Sequence, residues 1–321
     1  MNRKIGKYIN YLYDNKPSPF CDYIISKELL KEDDEAVKAA YEWATRFKLY
    51  SEIRDEQLPD GSWGGFDTAH TALIKARKMK YKATARAIAR LLDLSLDGVN
   101  DPIVNKVIDV MKKYLTGELP DPESYGKNNT GKPIGIRQQM IQHLGYFEPK
   151  NEYVVELRNK IAENYKKCCE DGYLNKETWI NLGSAGHFFG FALINMLSYG
   201  NVISDDLQRI LLAYSWEIDD WGWTHPCIIR QPEDKWFVFW IRTVERLKNF
   251  SLFGEFMEPE VAPYLYSLCE KIVSDRNNQM NIAINNYFYH HGQYSESRNT
   301  VQKKKNDLLL QIIRVLNKCY E

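Results

Sequence analysis

No two of the six cysteines, Cys21, Cys168, Cys169, Cys227, Cys269 and Cys319, stand in the C-x-x-C spacing of a zinc or redox centre. Net charge is missing too. The 43 Lys and Arg balance 43 Asp and Glu, which removes the electrostatic reason to expect nucleic acid or an anionic membrane as the main partner. The longest apolar run, Gly186 to Leu197, is too short for a transmembrane segment and suits a buried helix. Met1 to Asn10 is polar and basic with no apolar core behind it, so no signal peptide is expected. Free thiols in a reducing cytoplasm are the expected setting. No alternating stretch makes a convincing strand.

What is present is ordinary in bulk and unusual in its rings. An apolar fraction of 44% with 27% charged residues describes a folded globular chain. The 21 Tyr, 13 Phe and 8 Trp suit packing between helices, and equally a cavity for an apolar or cationic ligand or a stacked sugar. A length of 321 residues favours two domains on size alone, although toroids and barrels exceed that limit as single domains.

Helical periodicity runs through most of the chain. An aspartate cap at Asp33 or Asp34 should start a helix over Glu35 to Tyr50, with Val37, Ala40, Tyr41, Ala44 and Phe47 along one side. Further helices are expected at Asp67–Met79, Thr84–Leu94, Ile103–Leu115, Ile134–Leu144, Tyr153–Lys167, Ser184–Leu197, Asp205–Glu217, Lys235–Asn249, Glu258–Asp275 and Asn306–Lys318. In the helix from Ile103 the apolar face is Val104, Val107, Ile108 and Met111. A Pro, Gly, Asn and Asp-rich loop is expected near 117–133, and an irregular segment near 276–305. Lys303 to Lys305 reads as an exposed approach to the last helix.

Between the first two of these helices stands Gln57-Leu58-Pro59-Asp60-Gly61-Ser62-Trp63-Gly64. Gly61 and Gly64 admit backbone angles closed to other residues, Asp60 can accept hydrogen bonds from its own turn, and Trp63 offers a large face to pack. The pattern Q-x-x-D-G-x-W-G resembles the QW repeat of the terpenoid cyclase and protein prenyltransferase superfamily. That resemblance implies an all-α fold, an α/α toroid of roughly a dozen helices in hairpin pairs over a single domain 1–321, with the QW residues as staples. Weaker echoes of the turn occur at Asp171-Gly172-Tyr173 and at Asp219 to Trp223. The D-G-S-W-G-x-F turn, Arg86 and Arg90 before Asp97, the L-x-G-x-x-P-D-x-E segment Leu115–Glu123, and the tail Ser295–Leu316 are similar to a bacterial group of single-toroid proteins.

Two further segments resemble catalytic parts of that superfamily. Arg230 followed by Asp234-Lys235-Trp236-Phe237-Val238-Phe239-Trp240 is similar to the prenyltransferase D-x-C-Y-S-F-W segment. There the aspartate and cysteine hold zinc, with a later histidine as third ligand; His290 and His291 lie in a suitable region. Here Trp236 occupies the cysteine position, and an indole cannot replace a thiolate at zinc. No metal and no cofactor are expected. Glu217-Ile218-Asp219-Asp220 resembles the D-x-D-D motif of class II terpene cyclases, in which the middle aspartate protonates an alkene or epoxide. That chemistry needs a carboxylic acid kept protonated by burial and like charge, with rings to stabilise the cation.

Glu217, Asp219 and Asp220 are therefore the candidate catalytic acids. Trp221, Trp223, His225, Arg230, Asp234, Trp236 and Trp240 are candidate substrate contacts, with Asp67 and His70 on the first turn of a helix that can project into a ring. Against these stand simpler roles: a helix-ending turn for the acids, and a satisfied structural histidine for His70 and for His225 beside Pro226. The expected function is binding of an isoprenoid or similarly apolar small molecule in an aromatic-lined cavity, with cyclisation or prenyl transfer as the reaction. The alternatives are a carbohydrate-active toroid using paired carboxylates such as Asp67 with Asp219 or Asp234, and a non-catalytic binding or scaffold protein.

Overall fold

Asp33, Asp101 and Thr300 cap three of the helix starts, and Ser18 and Asn151 cap two more. The computed structural model describes residues 3–66, 81, 83–96, 101–119, 136–182, 196–217, 220–221, 225–226, 237, 241, 244–245, 247–282, 293–296 and 300–320, and the structural statements below concern these. The class is all-helical, with one two-residue antiparallel bridge among the described residues.

These residues form two compact units, of which the first comprises 1–53, 93–95 and 228–321. Helix α1 (Arg3–Asp14) turns Ile5, Tyr8, Ile9 and Leu12 inward at helical spacing. Ser18 caps α2 (Pro19–Ile24), which passes directly into a π-helix, Ile25–Leu30, that ends on Lys31 with φ 52. Asp33 caps α3 (Asp34–Ala44) by accepting from the Ala36 amide. The single helix expected over Glu35–Tyr50 is two. Thr45 Oγ1 turns back onto the Glu42 carbonyl, and a new helix, α4 (Lys48–Glu56), starts where the Glu296 carboxylate accepts the Lys48 amide at 2.7 Å.

The stretch expected as Glu258–Asp275 is also two helices, α11 (Phe253–Glu260) and α12 (Ala262–Ser274). Pro263 has no amide proton to offer the Pro259 carbonyl, so the ladder loses a bond around Val261, whose own amide still donates to Met257. The final helix, α13 (Val301–Lys318), begins five residues before the expected Asn306, because Thr300 caps it through the Lys303 amide. The lysine run is therefore the first turns of the helix, and of the three lysines only Lys303 is exposed. Lys305 is 1% exposed, its ammonium held by the Asp275 carbonyl at 2.6 Å and by Asn278 Oδ1 at 3.2 Å.

The second unit comprises 54–92 and 96–227. It contains α5 (Thr84–Asp93) up to Leu92, α6 (Pro102–Thr116), α7 (Ile136–Phe147), α8 (Glu152–Cys168), α9 (Lys176–Asn181) and α10 (Asp205–Glu217). Asp101, Pro102 and a left-handed Gly117 punctuate α6 at both ends, and Val104, Val107 and Met111 are buried as their spacing predicts. Neighbouring α6–α7 and α7–α8 pack as sequential helices, joined by contacts such as Lys112 with the Glu148 carboxylate. Strands β1 (Asp220–Trp221) and β2 (His225–Pro226) pair antiparallel, Trp221 opposite His225.

The expected helix Asp67–Met79 and most of Ser184–Leu197 lie outside the described residues, as do 120–133 of the expected loop and the first two residues of the expected helix Ile134–Leu144. Of Lys235–Asn249, Phe237, Ile241, Val244 and Glu245 are helical and buried. No described helix is long and apolar enough to cross a membrane. The five described cysteines are free and buried, and burial pushes the Cys169 and Cys319 thiols up to about 12, which makes them poor nucleophiles.

Candidate functional site

The Gln57–Gly64 turn is a connector within the second unit. Gln57 Nε2 donates to the Gly61 carbonyl and to the Ile103 carbonyl, both at 3.0 Å, so one amide closes the turn and ties it to the start of α6. Asp60 Oδ1 accepts from the Ser62 amide at 2.9 Å and from Ser62 Oγ at 2.8 Å. The Trp63 amide donates to Thr84 Oγ1 at 3.0 Å, and the Thr84 and Ala85 amides donate to the Gly65 and Phe66 carbonyls. The first amides of α5 are thereby satisfied by the turn itself. Gly61 has φ 95, and a Cβ there would stand 2.5 Å from the Lys106 carbonyl oxygen. Gly64 also has a positive φ, 97, in open space. Trp63 is 1% exposed, and Phe66 meets His143 edge-on at 5.5 Å.

A buried polar stripe runs along α13 in the first unit. Asp307, Gln311 and Arg314 recur at spacings of four and three, which puts them on one side of the helix. Arg314 is 4% exposed and meets Glu28, from the π-helix, as a fork: Nε to Oε2 at 2.7 Å and Nη2 to Oε1 at 2.8 Å. Its remaining donors reach Glu245 Oε1 at 3.1 Å, the Tyr294 hydroxyl at 3.0 Å and Ser95 Oγ at 3.2 Å. Ser95, with φ 57, also donates to Glu28. Burial alone would raise the Glu28 carboxyl, but the Arg314 and Lys248 charges override it and hold it well below the usual carboxylate range. Burial would likewise lower Arg314, and Glu245 with Glu28 keeps it charged. Asp307 accepts from Ser295 Oγ at 2.8 Å. Arg314 and the groups around it are mutually paired, and the arrangement clamps the π-helix, Glu245 and α13 together.

The third feature is an open cleft of about 460 Å³ in the first unit. Helix α1 contributes Lys4, Lys7 and Tyr8 on one face, α12 contributes Ala262, Tyr266 and Glu270 at four-residue spacing, and Glu258, Pro263 and Tyr320 complete it. Its size is that of a small-molecule site. Lys7 and the Tyr8 hydroxyl both bond Glu270, the latter at 2.5 Å, and they hold the Glu270 carboxyl below its ordinary value. Burial, and then the Glu270 carboxylate, push the Tyr8 phenol upward.

Of the candidate catalytic acids, Glu217 is the last residue of α10 and Asp220 opens β1, so the acid motif straddles a helix end. Trp221 and His225 are paired in the bridge that follows. Asp219, Asp67, His70, Trp223, Arg230, Asp234, Trp236, Trp240, His290 and His291 lie outside the described residues. Sequence reasoning missed the Arg314 cluster and the tyrosine cleft. The signal for the first was a Gln and an Arg inside the Leu and Ile run of α13, and for the second the Lys4, Lys7, Tyr8 spacing. Among the described residues no group of three His, Cys, Asp or Glu could hold a metal ion. No protein-family model, curated protein or solved structure matches the chain.

Proposed function

We propose that the chain is an α/α toroid of the terpenoid cyclase and prenyltransferase type that binds an isoprenoid or comparably apolar small molecule. The observation that carries this reading is the Gln57–Gly64 turn. Its glutamine ties the turn to the start of α6, its tryptophan is buried, and Gly65 and Phe66 just past it accept the first amides of α5. A turn that fastens successive helices in this way is what a ring of helix hairpins needs at each corner. Glu217, Asp219 and Asp220 are the acids of this reading, with Trp221 and Trp223 as cation-stabilising rings. The end of α10 at Glu217 and the bridge at Asp220–Trp221 support it by holding the acid and tryptophan segment against His225–Pro226. One acid, kept protonated by its neighbours' charge, gives its proton to an alkene carbon; the ring faces stabilise the resulting cation while a second alkene closes onto it, and loss of a proton to a carboxylate gives the neutral product. Asp67, His70, His225, Arg230, Asp234, Trp236 and Trp240 contact the ligand. With Trp236 in place of a thiolate, zinc-dependent prenyl transfer is not part of the proposal.

Binding without turnover is the second reading, favoured by Glu217 and Trp236 standing where the superfamily motifs have aspartate and cysteine. Incubation with prenyl diphosphates and squalene-type polyenes, followed by mass spectrometry, separates the two. The cyclase reading expects a new product that Asp219→Asn and Asp220→Asn abolish. Tight binding with no product leaves the binding reading.

A further inference from the structure

The tyrosine cleft of the first unit has chemistry that the isoprenoid reading does not use. Tyr8, Tyr266 and Tyr320 stand in series along it, with centroids 6.3 Å and 6.5 Å apart and planes tilted by 30° and 39°. A ring face is the negative part of its quadrupole and attracts cations within about 6 Å of the centroid. Two chain ammonium groups already sit this way, Lys7 Nζ at 4.8 Å from the Tyr8 centroid and Lys4 Nζ at 5.3 Å from that of Tyr266. Lys7, Tyr8 and Glu270 together form a filled ammonium site, consisting of a cation, a ring face and a carboxylate.

Once those lysines are placed, one ring and one carboxylate of the cleft are left over. Tyr320 is 37% exposed and carries no cation among the described residues, and the Glu258 carboxylate has no ion pair among them. We infer that this cleft recognises an organic ammonium ion, such as a quaternary or methylated amine, held against Tyr320 and Tyr266 and balanced by Glu258. An anion would face three ring faces and the Glu258 carboxylate, because Lys7 is held by Glu270 and the Tyr8 ring and Lys4 lies over the Tyr266 ring. A neutral polyol would leave the ring quadrupoles without a charge. The Lys4 ammonium on Tyr266 is then a competitor built into the chain, which gives the proposal its sharpest consequence.

The experiment is an NMR titration of the full chain with tetramethylammonium chloride, with tert-butanol as the neutral control of similar shape and inorganic phosphate as the anion. Tetramethylammonium should shift the tyrosine ring signals saturably, and tert-butanol and phosphate should not. Glu258→Gln and Tyr320→Leu, both at exposed positions, should weaken binding about three- to tenfold with circular dichroism unchanged. Lys4→Met should tighten it by a similar factor. Equal response to tert-butanol, saturable binding of phosphate at these rings, or weaker tetramethylammonium binding in Lys4→Met would each overturn the proposal.

Discussion

Arg314 and Glu28, separated by 286 positions in the chain, meet as a two-pronged ion pair between a buried guanidinium and a half-buried carboxylate, with both contacts between 2.7 and 2.8 Å. Removing Arg314 leaves the Glu245 carboxylate charged and away from water, and Glu28 partly so. Arg314→Met is therefore expected to lose about 3–5 kcal/mol of stability, measured by urea unfolding. Arg314→Lys cannot reproduce the fork and should recover only part of that loss.

The same pair fixes a pH dependence. The Glu28 carboxyl is held well below its ordinary value in the folded chain, so its contribution is fully present above the usual carboxylate range. It is lost as pH falls through the depressed value. Unfolding free energy should therefore change little through Glu28 between neutrality and about pH 5, then fall on further acidification. Glu28→Gln should be less stable at pH 7 and show a shallower acid limb; an unchanged limb would contradict the assignment.

Gly61 and Gly64 make a paired test of the turn. Both have positive φ, so alanine at either position should cost about 1 kcal/mol of backbone strain. Only at Gly61 does the added Cβ also strike backbone, 2.5 Å from the Lys106 oxygen. Gly61→Ala should therefore lose about 1–3 kcal/mol more than Gly64→Ala in the same unfolding assay. Equal losses would mean that α6 does not press on the turn.

Gln311 is fully buried, and neither its amide nitrogen nor its carbonyl oxygen has a partner among the described residues. Methionine keeps the length and removes both polar atoms. Gln311→Met should raise stability by about 1–3 kcal/mol. A loss of that size would show that the carboxamide is hydrogen-bonded inside the first unit in solution.

Local signals were legible where one stretch carries both cause and effect. Asp101, Pro102 and Gly117 bracket α6 within 17 positions, and the Gln57–Gly64 pattern encodes its own turn. The break between α11 and α12 was missed, because apolar periodicity runs across Pro263 and suggests one helix over Glu258–Asp275. The Arg314 cluster was not legible, because its members come from the π-helix, Ser95, Glu245, Tyr294 and α13, and no window of sequence holds them together. The lysine run misled for the same reason: the partners that bury Lys305 stand 27 and 30 positions earlier. The tyrosine cleft joins α1 to α12 and to the residue next to the last, so only the folded chain brings its rings into series.

The central claim is that an apolar isoprenoid is the ligand of this chain. Native mass spectrometry of the purified protein with farnesyl and geranylgeranyl diphosphates, squalene and a maltooligosaccharide tests it most directly. The account predicts one isoprenoid bound per chain and no oligosaccharide adduct. An oligosaccharide adduct with no isoprenoid adduct would contradict it.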